Sequence, residues 1–236
     1  MTQRPTTMTS SRDNILNKLR DARRPFEDAP PRPKDYLPVT HIDDTSPDGL
    51  LARFTEELVR LKGEVYPVEG DDAACELVLR LLRAHDATGI LAWDFACIPV
   101  EGLEQAIRDA GITIIQPNLH DEFREEILET MRDAQCGVTG VDAAAATTGT
   151  LIVSSGAGKG RMPTVLAPVW IPILTLDQIL PRIEDWVARE RASDLATIRG
   201  SSNVAFVTGP SRTGDIEMEM ILGVHGPGVV QVVVKR

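Results

Sequence analysis

Between Pro47 and Thr139 the chain alternates short apolar runs with amphipathic helical patterns, and this alternation constrains the fold more than any other feature. Leu50, Leu51, Phe54, Leu58 and Leu61 mark one helix face, and Glu64–Val68 follows as a short strand. Ala73–Leu82 predicts a second helix and Gly89–Trp93 a strand. Leu103–Ala110 predicts a helix that Gly111 ends, and Ile112–Ile115 another strand. Glu122–Met131 completes the helices, and Cys136–Thr139 begins a further strand. Strands separated by helices pair in parallel, because the helix is the crossover that a parallel pair needs. The pattern therefore predicts an α/β fold with a mostly parallel, mixed sheet covered on both faces. A chain of 236 residues is long enough for one such domain with an appendage and a sizeable core.

The pattern changes after Gly140. Asp142–Ala146 reads as an Ala-rich turn of helix, Thr150–Val153 and Val169–Leu174 as strands, and two glycine-rich loops separate them. Ile179–Arg189 predicts a helix with Pro181 in its first turn. Two apolar runs, Val204–Val207 and Val229–Val234, flank a glycine-rich segment in a hairpin-like unit. At the other end, residues 1–10 read as a disordered start and Ser11–Arg24 as a short amphipathic helix. The five prolines of Pro25–Pro38 exclude regular structure. Residues 1–46 thus form a helix and Pro-rich arm, and residues 47–236 the folded domain.

Composition narrows the function classes. A net charge of −10 argues against nucleic acid as the main partner, because phosphate contacts need clustered Lys and Arg. Cys75, Cys97 and Cys136 are isolated and form no C-x-x-C pair. They predict buried, reduced thiols in a cytoplasmic protein, with no iron–sulfur cluster or other cofactor bound by this chain. His41, His85 and His120 have no metal spacing. Met1–Arg12 lacks the apolar core of a signal peptide. Pro168 and Pro172 interrupt the apolar stretch Thr164–Leu180, which is too short for a membrane span.

Three segments carry candidate chemistry. The longest is TGPSRTGDIEMEMILGVHGPG, residues 208–228. A strand, a polar glycine-rich turn and a helix start present backbone N–H groups to an anion. Arg212 is the candidate to pair with that anion, with Ser211 as a donor and Gly209 and Pro210 shaping the turn. Asp215 opens the expected acidic helix, with Glu217 and Glu219 following and Ile216 and Met220 on its apolar side. It either satisfies the helix dipole or orients Arg212 or a substrate hydroxyl. His225, beside Gly226, either hydrogen-bonds structurally or relays a proton.

The second segment is Thr147–Thr150. Gly149 permits a positive φ there, and the Thr148 and Thr150 hydroxyls add donors. A tight structural turn is the competing reading. The third is SSGAGKGR, Ser154–Arg161. It fails as a phosphate loop, because Lys159 is followed by Gly160 rather than Ser or Thr, and Val153 stands where the first glycine belongs. It fails as a dinucleotide fingerprint, because Arg161 occupies the last glycine position. It reads as a mobile surface loop, or as a flap that brings Lys159 or Arg161 to an anionic ligand.

GVTGVDAAAATTGTLIV at 137–153, the arginine of KGR at 161, APVWIPIL at 167–174 and the 208–228 block together resemble the LUD-domain proteins. Within them the likeness is to the lactate-utilization protein C group, and it spans roughly Leu50 to Arg236. The resemblance implies a three-layer α/β/α domain in the superfamily of CoA transferases, ribose-5-phosphate isomerases and formyltetrahydrofolate cyclo-ligases. It also implies a part in oxidising L-lactate to pyruvate beside two iron–sulfur partner proteins. This chain departs from the group in two places. Thr147 stands where glutamate is usual, and Trp170 where histidine is frequent, so a carboxylate and an imidazole are missing.

The expectation is a non-redox component of a lactate-oxidation system, binding a small anionic ligand. Its wall would be Thr148, Gly149, Thr150, Arg161, Gly209, Pro210, Ser211, Arg212, Asp215, His225 and Gly226. The alternative is a stand-alone transferase or isomerase acting on a carboxylate, an acyl-CoA or a sugar phosphate, with Asp215 or Glu217 as its carboxylate. A third reading makes residues 1–46 a docking arm for a partner chain or a second copy.

Overall fold

The computed structural model describes residues 11–22, 40–116, 124–214 and 220–236. The chain divides into two compact units, Met1–His41 and Ile42–Arg236. In the first, helix α1 (Ser11–Ala22) carries Ile15 and Leu19 on an exposed stripe. Residues 1–10 and the Pro25–Pro38 segment lie outside the described residues.

The second unit opens with α2 (Pro47–Arg60). Ser46 caps it by accepting from the Gly49 N–H, and Pro47 occupies the first turn. β1 (Glu64–Val68), α3 (Gly70–Ala84), β2 (Gly89–Ala92), α4 (Leu103–Asp109), β3 (Thr113–Ile115), α5 (Arg124–Arg132) and β4 (Cys136–Gly140) then alternate as predicted. Beyond them the chain is richer in strand. It runs through β5 (Ala143–Ala145), β6 (Thr150–Ser155), β7 (Val169–Thr175), β8 (Ile179–Leu180), α6 (Ile183–Ala192), α7 (Ala196–Gly200), β9 (Asn203–Val207), β10 (Arg212–Gly214), β11 (Met220–Leu222) and β12 (Val229–Lys235).

Six strands pair in parallel in the order β1-β12-β7-β4-β2-β3. The interior strands β4, β7 and β12 are buried along most of their length, as a sheet covered on both faces requires. Ile90 and Leu91 point to opposite faces of β2. Ile90 belongs to the main core together with residues of α3 and α4, such as Leu77, Val78, Leu103 and Ile107, whereas Leu91 belongs to a separate cluster with Met131 of α5. Helices therefore flank both sides. Pro172 sits inside an interior strand, and the β7–β12 pairing skips Ile171 and Pro172, so its missing N–H falls in a gap in the ladder.

The winding sets the position of a ligand crevice. From β2 the chain steps outward to β3, then returns past β2 to β4 and onward. The switch point therefore lies between β2 and β4, at their carboxyl ends, where open α/β sheets bind ligands.

The remaining strands form a four-stranded mixed sheet, β8-β5-β6-β9, and a small hairpin, β10-β11. Four expectations change here. Ala143–Ala145 is a strand rather than helix, because pairing with β6 on one edge and β8 on the other outweighs alanine's helix propensity. The helix expected from Ile179 starts at Ile183, because Ile179 and Leu180 pair with β5. The runs at Val204 and Val229 form no hairpin with each other. The valine run of β12 is buried on both faces and takes an interior position, whereas β9 is a half-exposed edge strand of the smaller sheet. The hairpin lies between them, with Arg212 pairing to Leu222 and Gly214 to Met220. Met220 is thus strand rather than helix, and residues 215–219 lie outside the described residues.

Candidate functional site

β6 leaves the smaller sheet at Ser155, and the chain turns back at once. Gly156 and Lys159 exchange both backbone hydrogen bonds, at 3.1 and 3.0 Å. Gly158, at φ 71°, forms the corner. This turn is fastened to the switch point. The Asp94 N–H donates to the Gly158 carbonyl at 2.8 Å, and Trp93 Nε1 donates to the Gly160 carbonyl at 2.8 Å. Lys159 reaches inward, its Nζ 2.7 Å from Asp142 Oδ1 and 5.4 Å from the centre of the Trp93 ring. Asp142, just past the end of β4, also accepts from the Ser154 N–H. The segment read as a mobile surface loop is a fastened turn, and Lys159 serves as its anchor.

Arg161 follows the turn and starts a short helical stretch, Met162–Thr164. This stretch lies directly on the sheet at Gly137, where a Cβ would stand 1.9 Å from the Pro163 carbonyl oxygen. Residues 160–165, Trp93 and one face of β6 and β9 enclose a chamber of about 210 Å³. That volume is below the roughly 300–1,000 Å³ of drug-sized sites and suits a small molecule. Its floor is Trp93, Val153, Ala205 and Val207, continuous with the main core. Ser155, Thr164, Asn203 and Arg161 are the lining residues that reach solvent, and they mark its mouth. The Arg161 guanidinium has no partner among the described residues. A second, more open crevice of about 390 Å³ lies at the switch point, lined by Asp94, Gln116 and the glycine turn.

The residues expected around 208–228 assemble elsewhere, at the amino ends of β1, β7 and β12. Thr148, Thr150 and Thr208 form a hydroxyl ladder, 2.7 Å and 2.9 Å between oxygens. Gly149 has φ 61°, and a Cβ there would lie 2.8 Å from the Leu58 nitrogen, so the backbone of α2 rests on it. Gly209 has φ 82° and meets Leu61 in the same way, at 2.9 Å. The Arg212 guanidinium donates to the Leu61 carbonyl at the end of α2, where a cation also complements the helix dipole. Arg212 Nε is buried without a partner among the described residues. The Ser211 N–H donates to the Pro227 carbonyl at 2.8 Å, the Ser211 carbonyl accepts from the Gly223 N–H at 3.0 Å, and Gly226 lies against the Ser211 side chain. Pro210 is buried and His225 exposed. Asp215 and Glu217 lie outside the described residues.

Eight of the eleven expected residues therefore build one joint with α2 or pack on it, namely Thr148, Gly149, Thr150, Gly209, Pro210, Ser211, Arg212 and Gly226. Arg161 stands apart at the chamber. Val207 on the chamber floor adjoins Thr208 in the chain and links the two. Trp93, Asp142 and Asn203 were not singled out from sequence. The first two follow strand ends at a switch point, a signal that only the strand order reveals. The two departures from the group lie inside the fold. Trp170 is wholly buried and donates to Thr139 Oγ1 at 2.9 Å, and the Thr147 N–H donates to the Pro181 carbonyl at 3.1 Å. Neither residue lines the chamber.

Burial pushes the Cys136 thiol up to about 12. Cys75 is raised as well, first by burial and then by the Asp71 and Asp72 charges. Among the described residues no group of three or more His, Cys, Asp or Glu side chains could hold a metal ion. No helix among them is long and apolar enough to cross a membrane.

A mostly parallel sheet flanked by helices, with a smaller mixed sheet beside it, defines an open-sheet α/β domain. The crystal structure of a DUF162-family protein from Deinococcus radiodurans shares this fold, with a TM-score of 0.57 at 19% identity, covering 82% of this chain and 100% of that one. The LUD domain matches residues 51–234, and the chain belongs to the LUD-domain family. Lactate utilization protein C of Halalkalibacterium halodurans is 26% identical over 218 residues, 91% of each chain. The protein of that name from Bacillus licheniformis is 34% identical over 202 residues, 82% of this chain and 72% of the relative. The one from Bacillus subtilis (strain 168) is 31% identical over 194 residues, 80% and 69% respectively.

Proposed function

We propose that this protein is a non-redox component of a cytoplasmic L-lactate oxidation system, working with iron–sulfur partner proteins and binding a small anionic ligand at Arg161. The observation that carries the role is the likeness, over 80–91% of this chain, to relatives named lactate utilization protein C. The three separated cysteines leave cluster ligation to partner chains. The anionic ligand rests on Arg161, which lines the chamber from its exposed side and whose guanidinium is unpaired among the described residues. Arginine meets a carboxylate through two parallel charge-assisted hydrogen bonds. The hydroxyls of Ser155 and Thr164 and the Asn203 amide share that mouth and would complete the recognition of a polar head.

Complementation of a deletion strain tests this. Wild-type protein restores growth on L-lactate, and Arg161→Ala at equal protein levels does not. Full growth with Arg161→Ala removes the assigned site. Undiminished growth of the deletion strain itself removes the assigned system.

A further inference from the structure

We infer that the chamber selects monocarboxylates with an aliphatic tail, and that Ala205 and Val207 set the length of tail accepted. This rests on the reading that an anion binds at Arg161 and adds what the rest of that ligand must be.

Polarity falls with burial along the chamber lining, Ser154 apart. Arg161 and Asn203 at the mouth are exposed, and Ser155 and Thr164 beside them are half-buried. The floor is different. Val153 and Trp93 are buried, and Ala205 and Val207 pack against the main core. Val153 and Ala205 are paired neighbours on β6 and β9, and Val207 lies two residues further along β9 on the same face. Val165 closes the side. The Trp93 indole N–H already donates to the Gly160 carbonyl, so that ring offers the ligand carbon surface rather than a donor. The Lys159 ammonium is held by Asp142 and adds no second cation to the mouth.

A wholly polar anion such as phosphate would satisfy the mouth and leave the floor without contacts. A carboxylate on a short aliphatic chain satisfies both, with its head on Arg161 and its methylenes against Val153, Ala205 and Val207. Each methylene that reaches the floor leaves water and raises affinity about fourfold. The gain stops when the chamber is full. The chamber exceeds the needs of a three-carbon acid, since about 210 Å³ equals the liquid volume of about seven waters. Four- and five-carbon acids therefore bind more tightly than lactate.

The test is a titration of the full chain with acetate, propionate, butyrate, valerate, L-lactate and inorganic phosphate, followed by the Trp93 indole N–H resonance. Affinity is expected to rise about fourfold per carbon from acetate to butyrate, with phosphate weaker than butyrate. Ala205→Leu fills the floor. It is expected to abolish the rise from acetate to butyrate, and Ala205→Val gives a milder version should the leucine not fold. Arg161→Ala weakens every acid by a common factor of ten or more. Affinity that is flat with chain length, or phosphate bound as tightly as butyrate, overturns the tail selectivity and leaves the anion site standing. A wild-type protein whose Trp93 signal responds to none of these ligands overturns both.

Discussion

Residues 156–161 and residues 208–228 are alike in composition, each a glycine-rich segment with an arginine. They differ in what their backbones approach. In the first, the glycines turn the chain over the switch point and leave Arg161 lining a small chamber. In the second, Gly209 accommodates Leu61, and Arg212 spends its charge on the last carbonyl of α2. A glycine without a Cβ lets a ligand approach or lets another backbone approach. Composition does not separate these uses, and the neighbouring elements do.

The comparison breaks most visibly at the glycines of the joint. Gly149→Ala and Gly209→Ala each place a Cβ in the left-handed region and against α2, so each is expected to cost about 3 kcal/mol from backbone strain and overpacking together. Urea unfolding measures this. A loss under about 0.5 kcal/mol would show that α2 is not seated there.

Arg212→Ala removes a charged hydrogen bond and is expected to cost about 2 kcal/mol of stability, while ligand binding at the chamber stays within twofold. Arg161→Ala touches nothing in the fold and should change stability by less than about 0.5 kcal/mol. A large stability loss for Arg161→Ala with none for Arg212→Ala would invert the comparison.

Asp142→Asn leaves the half-buried Lys159 without its anion. Because the pair keeps some solvent contact, the expected cost is about 1 kcal/mol rather than the larger penalty of a fully buried pair. The same variant should weaken ligand binding by loosening the turn that carries Arg161. Unaltered binding would separate the ion pair from the site.

The smallest effect lies outside both segments and serves as a control. Hydrogen bonds from the Tyr66 hydroxyl and then from the Gln231 amide hold the Glu64 carboxyl below its usual value. A depressed folded-state value means that this stabilisation is fully present above about 4.5, and is lost as pH falls through the folded-state value. Glu64→Gln should flatten the acid limb of the stability curve slightly, and equally in the wild-type, Arg161→Ala and Arg212→Ala backgrounds. A slope that differs between backgrounds would mean that the two segments are coupled through the sheet.

The alternating half of the fold was legible in the sequence because helix and strand periods differ and each element there is amphipathic or wholly apolar. The helices and strands of residues 47–140 lie where that alternation predicts, and Val169–Leu174 and Val229–Val234 are strands as expected, the second in the parallel sheet rather than in a hairpin. The smaller sheet was not legible. Ala143–Ala145 has no period-two pattern, and Ile179–Leu180 is only two residues long. Both become strands through pairing with partners distant in the chain. The site was legible in part. Arg161 was marked by the resemblance and its loop by glycine, but Trp93, Asp142 and Asn203 converge only once strand order is known. Arg212 looked like an anion ligand because the acceptor it meets, a carbonyl 151 positions away, leaves no trace in local sequence.

One titration tests the central contrast directly. Butyrate is added to wild-type, Arg161→Ala and Arg212→Ala proteins, and the Trp93 indole N–H signal is followed in each. Arg212→Ala should bind within twofold of wild type, and Arg161→Ala at least tenfold more weakly. Binding lost in Arg212→Ala and kept in Arg161→Ala would contradict the account and return the site to the 208–228 segment.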